Sequence, residues 1–465
     1  MKNTIRNLSL LAIMAASAPA QAQQKPAVFK AGDRISFTGN SITENGFYGL
    51  YIWQYYQLHF PNERILVMNK GIGGDVAAGI LARLEDDVLV KKPTVIVLTF
   101  GMNDSRYFEY YNAPETSVRN EAIATSLKNY EAIEKKLLAL PGVKKVIMTS
   151  SPYDETMGGN KNRFTGKYKT MEGIARFQEA SAVKNKWGFV DLMRPMQAIN
   201  EREQKRDTNY TLTGPDRIHP GNAGHMAMAW LFLKNQGLSG TVVADVSVNA
   251  RTARLQRSVN AKVSGLKKTA TGVSFSYLAK SLPFPTDSNT RVWENPQRQY
   301  EALAVIPFTE EMNRENLQVT GLDESAGYGL LIDGQPVADF TGKELASGIN
   351  LALLSNTPQY QQAKQVAELN FQYRDLEQKL RAYVWLQTNY FRPRKMMYQD
   401  DQVALDSILA AAPKDWAVAS KKDNYVEGRK KEVRAGWEKE MGTIMDRIYT
   451  INKPRERKFE IRLKK

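Results

Sequence analysis

The stretch Arg34-Ile35-Ser36-Phe37-Thr38-Gly39-Asn40-Ser41-Ile42-Thr43 decides how the rest of this chain is interpreted. Residues 34–38 form a short β-prone run that ends at a glycine, which is typical of a buried strand. Residues 46–60 follow with apolar side chains at helical spacing. Ser41 is therefore expected between a strand end and a helix start, where its hydroxyl and nearby N–H groups can face one crevice. A serine hydroxyl needs a base to become a nucleophile, and a serine after a strand is usually a turn former or N-cap, so Ser41 alone does not indicate catalysis.

The composition and the first residues predict an exported globular protein. The chain has 465 residues, of which 42% are hydrophobic, enough for two domains or for one domain with a large appendage. Residues 1–22 start with Lys2 and Arg6, continue with an apolar run and end in Ala20-Gln21-Ala22, the pattern of a cleaved signal peptide. The apolar run is too short for a transmembrane helix, and no later stretch is long enough either. We expect a periplasmic or secreted protein, cleaved near Ala22.

The chain has no cysteine and a formal net charge of +15. It therefore has no disulfide framework, thiolate metal site, cysteine nucleophile or lipoprotein anchor. The basic excess fits a solvated surface or attraction to polyanions such as an acidic polysaccharide. Nucleic acid is not expected as a partner, because no nucleic-acid motif accompanies the charge. The oligomeric state stays open.

Strand and helix patterns alternate from about residue 33 to residue 237. Short apolar strands separated by helices predict a parallel sheet covered on both faces, with ligands bound beyond the carboxyl ends of the strands. After 34–38, strands are predicted at 65–68, 94–100, 146–148 and 188–190, and helices at 76–90, 121–140 and 171–186.

Polar residues follow several of these strands. Gly71-Ile72-Gly73-Gly74-Asp75 comes after the second strand, and its glycines can leave a backbone N–H uncovered. Gly101-Met102-Asn103-Asp104 comes after the third, where the Asn103 amide can point into the same crevice. Asp216-Arg217-Ile218-His219-Pro220 follows the fifth strand and a loop. An acid three residues before a histidine can hold one ring nitrogen and leave the other facing Ser41.

These blocks together resemble the SGNH, or GDSL-type, hydrolases over about residues 33–237. The resemblance implies a flavodoxin-like three-layer sandwich and ester hydrolysis through a serine. It assigns Ser41 as nucleophile, His219 as base and Asp216 as the residue that orients the base. The Ser41 and Gly74 N–H groups and the Asn103 side chain would form the oxyanion hole, with no metal or organic cofactor. Asn40 departs from the family pattern, which has an aspartate there, and the Gly-x-Ser-x-Gly elbow of α/β-hydrolases is absent.

The loops around the crevice are expected to select the substrate. Arg106, Tyr107 and Phe108 belong to an aromatic stretch that could stack on sugar rings or could pack as a lid on the domain. Tyr153 begins a glycine-containing basic loop that runs to residue 170 and could be a surface loop or a contact for uronate or phosphate groups. His59 and His225 are expected to be structural.

Beyond residue 240 the pattern becomes β-rich and then helical. We predict a hydrolase domain over 23–240, a β-rich subdomain over 241–355, a helical hairpin region over 356–450 and a C-terminal strand over 451–465. Asp333-Gly334 indicates a hairpin turn, and Arg392-Pro393-Arg394 interrupts the helical region. The period-two alternation of residues 458–464 predicts a strand with one buried face that pairs with the β-rich subdomain.

The sequence thus predicts an exported serine esterase that removes O-acyl groups, O-acetyl foremost, from a carbohydrate. A lipid acyl esterase is one alternative, although the crevice loops look polar and aromatic rather than apolar. An inactive glycan-binding protein is the other, although a binding module has no need for the complete set of hydrolase residues.

Overall fold

The computed structural model describes residues 24–292 and 295–464. The predicted signal peptide therefore lies outside the described residues. No described helix is both long enough and apolar enough to cross a membrane.

The sheet that carries Ser41 is parallel throughout, with strand order β2-β1-β3-β4-β5. This is the flavodoxin-like order, in which the strand order reverses next to β1. All five predicted strands are present, and the predicted fold class is confirmed. The strands are β1 (Arg34–Gly39), β2 (Leu66–Gly71), β3 (Val95–Phe100), β4 (Lys144–Thr149) and β5 (Gly188–Val190).

Helices cover both faces of this sheet, so the domain has three layers. On β3, Val95 and Val97 join one hydrophobic core with α2 and α8, whereas Ile96 and Leu98 join a second core with α3, α5 and α6. That alternation is the period of two expected of a strand buried on both sides. The helices are α1 (Ser41–Asn45), α2 (Phe47–His59), α3 (Ala77–Arg83), α4 (Glu109–Asn112), α5 (Glu115–Leu138), α6 (Lys167–Asn185), α7 (Met193–Glu203) and α8 (Asn222–Asn235).

The β-rich part that follows contains two further sheets in the described ranges. Their strand orders are β13-β10-β6-β7 and β12-β11-β14-β9-β8. The predicted turn at Asp333-Gly334 joins β11 to β12. The strands are β6 (Ala244–Asn249), β7 (Arg254–Val259), β8 (Ala261–Thr269), β9 (Gly272–Ala279), β10 (Glu315–Thr320), β11 (Gly327–Ile332), β12 (Gln335–Thr341), β13 (Ile349–Asn350) and β14 (Arg457–Leu463).

The strand β14 lies between β9 and β11 and pairs antiparallel with both. Phe459 and Ile461 are buried against the core of these sheets, as the alternation predicts. Leu463, the third apolar residue of the pattern, is 42% exposed, because it lies at the end of the strand beyond that core.

The helical region is an insertion between β13 and β14. Its long helix α11 packs on α13 and α14 and also contacts α2 and β2 of the first domain. The region contains more helices than a hairpin, because α13 ends at Gly428 and a separate helix α14 starts at Lys431. The remaining helices are α9 (Phe308–Met312), α10 (Gly342–Ser347), α11 (Pro358–Trp385), α12 (Gln402–Ala411), α13 (Trp416–Gly428) and α14 (Lys431–Ile451).

A buried cluster of charges fastens α11 to the first domain. The Asp87 carboxylate accepts two hydrogen bonds of 2.7 Å from Arg381 of α11, one of 2.7 Å from Arg83 and one of 3.1 Å from Lys70. Burial raises the pKa of Asp87, but Arg381, Lys70 and Arg83 outweigh it and hold the pKa well below its usual range. Removing one partner of a buried pair leaves the other uncompensated, which costs about 3–5 kcal/mol. We call this set the Asp87 cluster.

The burial pattern of β14 gives a stability test. Phe459→Ala should lower the free energy of unfolding by about 3–5 kcal/mol, because it opens a cavity in a fully buried position. Leu463→Ala in the same strand is the matched control and should change it by less than about 1 kcal/mol. Urea unfolding of the two variants measures the difference. Equal losses would contradict the central position of β14.

Candidate active site

Ser41, His219 and Asp216 form a continuous chain of hydrogen bonds. Ser41 Oγ lies 2.9 Å from His219 Nε2, and His219 Nδ1 lies 2.5 Å from Asp216 Oδ2. The His219 and Asp216 side chains are 40% and 32% exposed, so the chain opens to solvent at one side. A hydroxyl, an imidazole and a carboxylate in this order can take a proton from the serine and hold it on the histidine.

Asn40 explains how Ser41 is presented. Asn40 is the N-cap of α1, and its Oδ1 accepts a 3.1 Å hydrogen bond from the N–H of Ile42. An aspartate would accept the same bond, so the departure from the family pattern keeps the local turn and changes only its charge. Gly39 precedes the cap, where a Cβ would lie 2.3 Å from Thr43 Oγ1. Strand β1 can therefore turn into α1 only with a glycine at position 39.

Asp216 is oriented by its own loop. Its Oδ1 accepts hydrogen bonds of 2.9 Å from the N–H groups of Ile218 and His219, which leaves Oδ2 for the imidazole. Burial raises the pKa of Asp216, but the hydrogen bonds and charge of His219 outweigh it, and the pKa lies below its usual range. The carboxylate therefore stays ionised at neutral pH.

Gly74 and Asn103 line the same cleft as Ser41 and His219. Gly74 has a φ of +85°, a conformation that favours glycine, and it follows Gly73 in an exposed turn. Asn103 donates one amide N–H to Asp75 O at 2.8 Å and accepts the Tyr107 hydroxyl at 2.7 Å on its Oδ1. Its second N–H is left for another acceptor. No described atom accepts a hydrogen bond from the backbone N–H of Ser41 or of Gly74.

A buried lysine braces the loop that carries Asn103. Lys167 Nζ donates to Met102 O and Ser105 Oγ at 2.6 Å and to Arg106 O at 2.5 Å. It also lies 3.8 Å from the centre of the Tyr107 ring. Burial lowers the pKa of Lys167 well below its usual range. The Tyr107 hydroxyl and its ring are thus both fixed, and with them the Asn103 amide.

The cleft around Ser41 has a volume of about 820 Å³. The first domain provides one wall, which includes Ser41, Gly74, Asn103 and His219, and Val292 and Asn295 of the β-rich part also line the cleft. The helical region provides a second wall, made of Gln378, Trp385, Trp416, Ala417, Ser420 and Lys421. No sequence pattern indicates this second wall, because its residues come from two helices more than 330 positions after Ser41.

The residues proposed for substrate binding lie elsewhere. Arg106, Tyr107, Phe108 and Tyr153 are not among the described residues that line this cleft. Phe108 is 68% exposed and packs on Phe164 with a ring distance of 5.5 Å, whereas Tyr153 is fully buried. Their role in substrate binding remains a prediction.

The basic loop after Tyr153 is held by Arg217. This guanidinium is fully buried and donates five hydrogen bonds of 2.6–3.0 Å to carbonyl oxygens of residues 154–161. Arg217 sits between Asp216 and His219, so the loop and the two acid–base residues form one unit. Lys161 of this loop lines the cleft. Arg217 was part of the recognised sequence block, but nothing in the block indicated this anchoring role.

Comparison with known proteins identifies the family of the chain. The model of the GDSL-like Lipase/Acylhydrolase family matches residues 37–227. An acetylxylan esterase of Geobacillus stearothermophilus is 30% identical over 224 residues, which span 94% of that protein and 44% of this chain. This chain belongs to the GDSL-like lipase/acylhydrolase family.

The rest of the chain also has a known counterpart. A Diltiazem deacetylase C-terminal helical domain matches residues 364–453 of this family member. The structure of a gut microbial diltiazem-metabolizing enzyme superposes with a TM-score of 0.91 and 41% identity, over 94% of this chain and 99% of that one. This GDSL-family protein is an esterase of the SGNH type, in which the helical region accompanies the hydrolase domain.

Two further histidines of this esterase are buried away from the cleft. His225 stacks on Tyr48 at a ring distance of 6.0 Å, and His59 stacks on Tyr55 at 4.0 Å. Burial lowers the pKa of each histidine to about 3. Both are therefore neutral packing residues in the folded protein, in keeping with the structural role expected for them.

The buried histidines make a prediction about acid stability. The unfolded chain protonates a histidine near pH 6.5, but the folded chain does so only near pH 3. Each buried histidine should therefore remove stability as the pH falls from 6.5 to 3, by about 1.4 kcal/mol per pH unit. His225→Phe should make the free energy of unfolding fall less steeply between pH 6 and pH 4 by that amount.

The control is Tyr48→Phe, which changes the ring beside His225 but removes no group that titrates in this range. Chemical unfolding at pH 6, 5 and 4 supplies the slopes. An unchanged slope in His225→Phe would show that His225 takes up its proton without unfolding.

Proposed function

We propose that this esterase is a serine O-deacetylase that acts on acetylated carbohydrate. The observation that carries the proposal is the chain from Ser41 Oγ through His219 to Asp216, with distances of 2.9 and 2.5 Å, in the lining of the cleft. Ser41 is the nucleophile, His219 the general base and Asp216 the residue that holds the imidazole.

The reaction begins with attack of Ser41 Oγ on the ester carbonyl. His219 Nε2 takes the serine proton as the new carbon–oxygen bond forms. Asp216 accepts a hydrogen bond from Nδ1–H and stabilises the imidazolium, so the charge that develops on His219 has a fixed partner. His219 then gives its proton to the leaving alcohol, and the acyl group remains on Ser41.

The negative charge on the carbonyl oxygen needs donors that are already in place. The Ser41 and Gly74 backbone N–H groups and the free N–H of Asn103 border the same cleft and serve as these donors. Such a donor is worth more in the transition state than in the ground state, because the full charge exists only there. A water deprotonated by His219 then attacks the acyl-enzyme, and the same donors hold the second tetrahedral intermediate.

The cleft supports a ring-bearing alcohol next to a small acyl group. A volume of about 820 Å³ suits an oligosaccharide segment or a drug-sized molecule. The wall from the helical region combines two tryptophan rings with the polar ends of Gln378 and Lys421, a mixture of aromatic and hydrogen-bonding groups that suits a sugar. The acetylxylan esterase relative supports the carbohydrate.

A small aromatic ester is a second candidate substrate. The diltiazem-metabolizing enzyme matches nearly the whole of this chain, including the helical region that forms the tryptophan wall. A flat ring could lie against this wall as well as a sugar could. A fatty acyl ester is less suited, because the cleft lining mixes charged and amide side chains with its apolar groups.

Export of the protein is part of the proposal and rests on the pattern of residues 1–22. N-terminal sequencing of the protein recovered from cells tests it. A mature chain that starts near residue 23 is expected, and a retained Met1 would contradict export.

The triad makes a direct prediction. Ser41→Ala should reduce acetate release from an aryl acetate by at least about 10³-fold while the melting temperature stays the same. Ser36→Ala is the matched control, because Ser36 lies on the same strand β1 away from the cleft lining. Activity of Ser41→Ala within tenfold of the parent would exclude Ser41 as the nucleophile.

The proposed oxyanion donors lead to a further prediction. Asn103→Ala should lower kcat by about 10²- to 10³-fold with little change in KM, as expected for a group that binds the transition state. An effect confined to KM would instead make Asn103 a substrate-binding residue.

A substrate panel tests the acyl and alcohol specificity. We expect fast acetate release from acetylated xylo-oligosaccharides, slower release from diltiazem and no fatty acid release from a lysophospholipid. Faster turnover of diltiazem would favour the second candidate. Loss of activity on every ester, including small aryl acetates, would favour an inactive binding protein.

A further inference from the structure

A row of hydrogen-bond donors on α11 faces the backbone of the loops that build the active site. Arg374 Nε donates to Asn45 O at 2.9 Å, and Gln378 Nε2 donates to Glu44 O at 2.5 Å. Arg381 Nε donates to Gly71 O at 3.1 Å, and Trp385 Nε1 donates to Gly73 O at 3.0 Å. The spacing of 4, 3 and 4 residues puts all four side chains on one face of the helix.

The last of these bonds acts on the peptide group that joins Gly73 to Gly74. The carbonyl that accepts from Trp385 and the Gly74 N–H belong to the same planar trans unit, so they point in opposite directions. Fixing the carbonyl towards the indole therefore fixes the Gly74 N–H away from it. Trp385 and Gly74 both line the cleft. The direction of this peptide therefore decides whether the Gly74 N–H or the Gly73 carbonyl faces the substrate.

This peptide is the central one of a turn that the Asp75 N–H closes on Ile72 O at 3.1 Å, and that bond alone leaves the direction of the central peptide open. A Cβ at Gly74 would meet nothing within 4 Å, so packing does not restrain the turn there. A peptide flanked by two glycines rotates more easily than any other, because neither side chain restricts it. The orientation must come from polar contacts on either side.

A second contact holds the preceding N–H. Glu44 Oε2 accepts from the Gly73 N–H at 2.7 Å, and Glu44 Oε1 accepts from Lys421 Nζ of α13 at 3.2 Å. The helical region thus holds the Gly73 residue from both ends, directly through Trp385 and indirectly through Lys421 and Glu44.

We propose that Trp385 is a positioning residue of the oxyanion hole: its indole N–H fixes the Gly73–Gly74 peptide so that the Gly74 N–H faces the ester carbonyl. The inference rests on the proposed function, because it requires Gly74 to be an oxyanion donor. It extends that function by making the helical region part of the catalytic machinery as well as a wall of the cleft.

The test is Trp385→Phe, which keeps a ring and removes the N–H. We expect kcat for p-nitrophenyl acetate to fall by about 5- to 100-fold with KM within twofold, since a misdirected donor costs less than or as much as a deleted one. Inhibition by phenylboronic acid, which forms a tetrahedral adduct on serine, should weaken by a similar factor. Active-site titration normalises kcat to the folded, competent enzyme.

The matched control is Trp53→Phe. Trp53 also donates its indole N–H to a backbone carbonyl, that of Ile65 at 3.2 Å, but it lies in α2 and does not line the cleft. Trp53→Phe should lower the melting temperature without changing kcat per active site. A structural role alone for Trp385 would give the same result in both variants.

The outcomes separate the inference from the proposed function. Parent-like kcat and boronate affinity in Trp385→Phe, with Ser41→Ala inactive and Asn103→Ala slow, would overturn only the role of Trp385. A rise in KM without a fall in kcat would also overturn it and make Trp385 a substrate contact. Activity in Ser41→Ala would overturn the proposed function itself.

Discussion

The attachment of α11 to the hydrolase domain depends on one buried carboxylate. Asp87 receives Arg381 from α11 together with Arg83 and Lys70 from the first domain. Arg83 also donates to Asp75 Oδ2 and to Gly39 O, and Arg381 to Gly71 O, so the same cations hold the loops before Ser41 and before Gly74. Buried charges are stable only when every partner is in place. The register of α11 against these loops is therefore sharply defined. The positions of the α11 side chains that line the cleft are defined with it.

The hydrolase half of the molecule could be predicted from local patterns. Each strand of the first sheet is a short apolar run, and the site residues follow strand ends, where a parallel sheet collects them. Ser41, His219 and Asp216 lie in short sequence blocks, and the spacing within a block indicates how its residues are arranged. An acid three residues before His219 can accept hydrogen bonds from the N–H groups of the same turn. The period of residues 458–464 likewise predicts β14, because a strand with one buried face leaves its alternation in the sequence.

The second wall of the cleft could not be predicted in this way. Trp385 Nε1 and Gly73 O are neighbours because α11 docks on the first domain, and no pattern within α11 indicates a partner 312 positions away. The loops that were expected to bind substrate show a different limit of prediction from sequence. An aromatic stretch beside Asn103 invites assignment as a sugar platform, yet Phe108 packs on Phe164, and the Tyr107 hydroxyl serves Asn103. The residue type allows several roles for a side chain, and the tertiary contacts decide which role it has.

The insertion of the helices between β13 and β14 has a consequence for how the protein folds. The pairs that β14 makes with β9 and β11 join segments more than 120 residues apart, which makes them high-contact-order pairings. During folding, β9 and β11 therefore each keep an unpaired edge until β14, which follows the helical insertion, has docked between them. Open strand edges of this kind invite intermolecular pairing. Aggregation during folding should consequently start from the β-rich part, while the Ser41 domain, whose strands follow one another closely along the chain, can fold early.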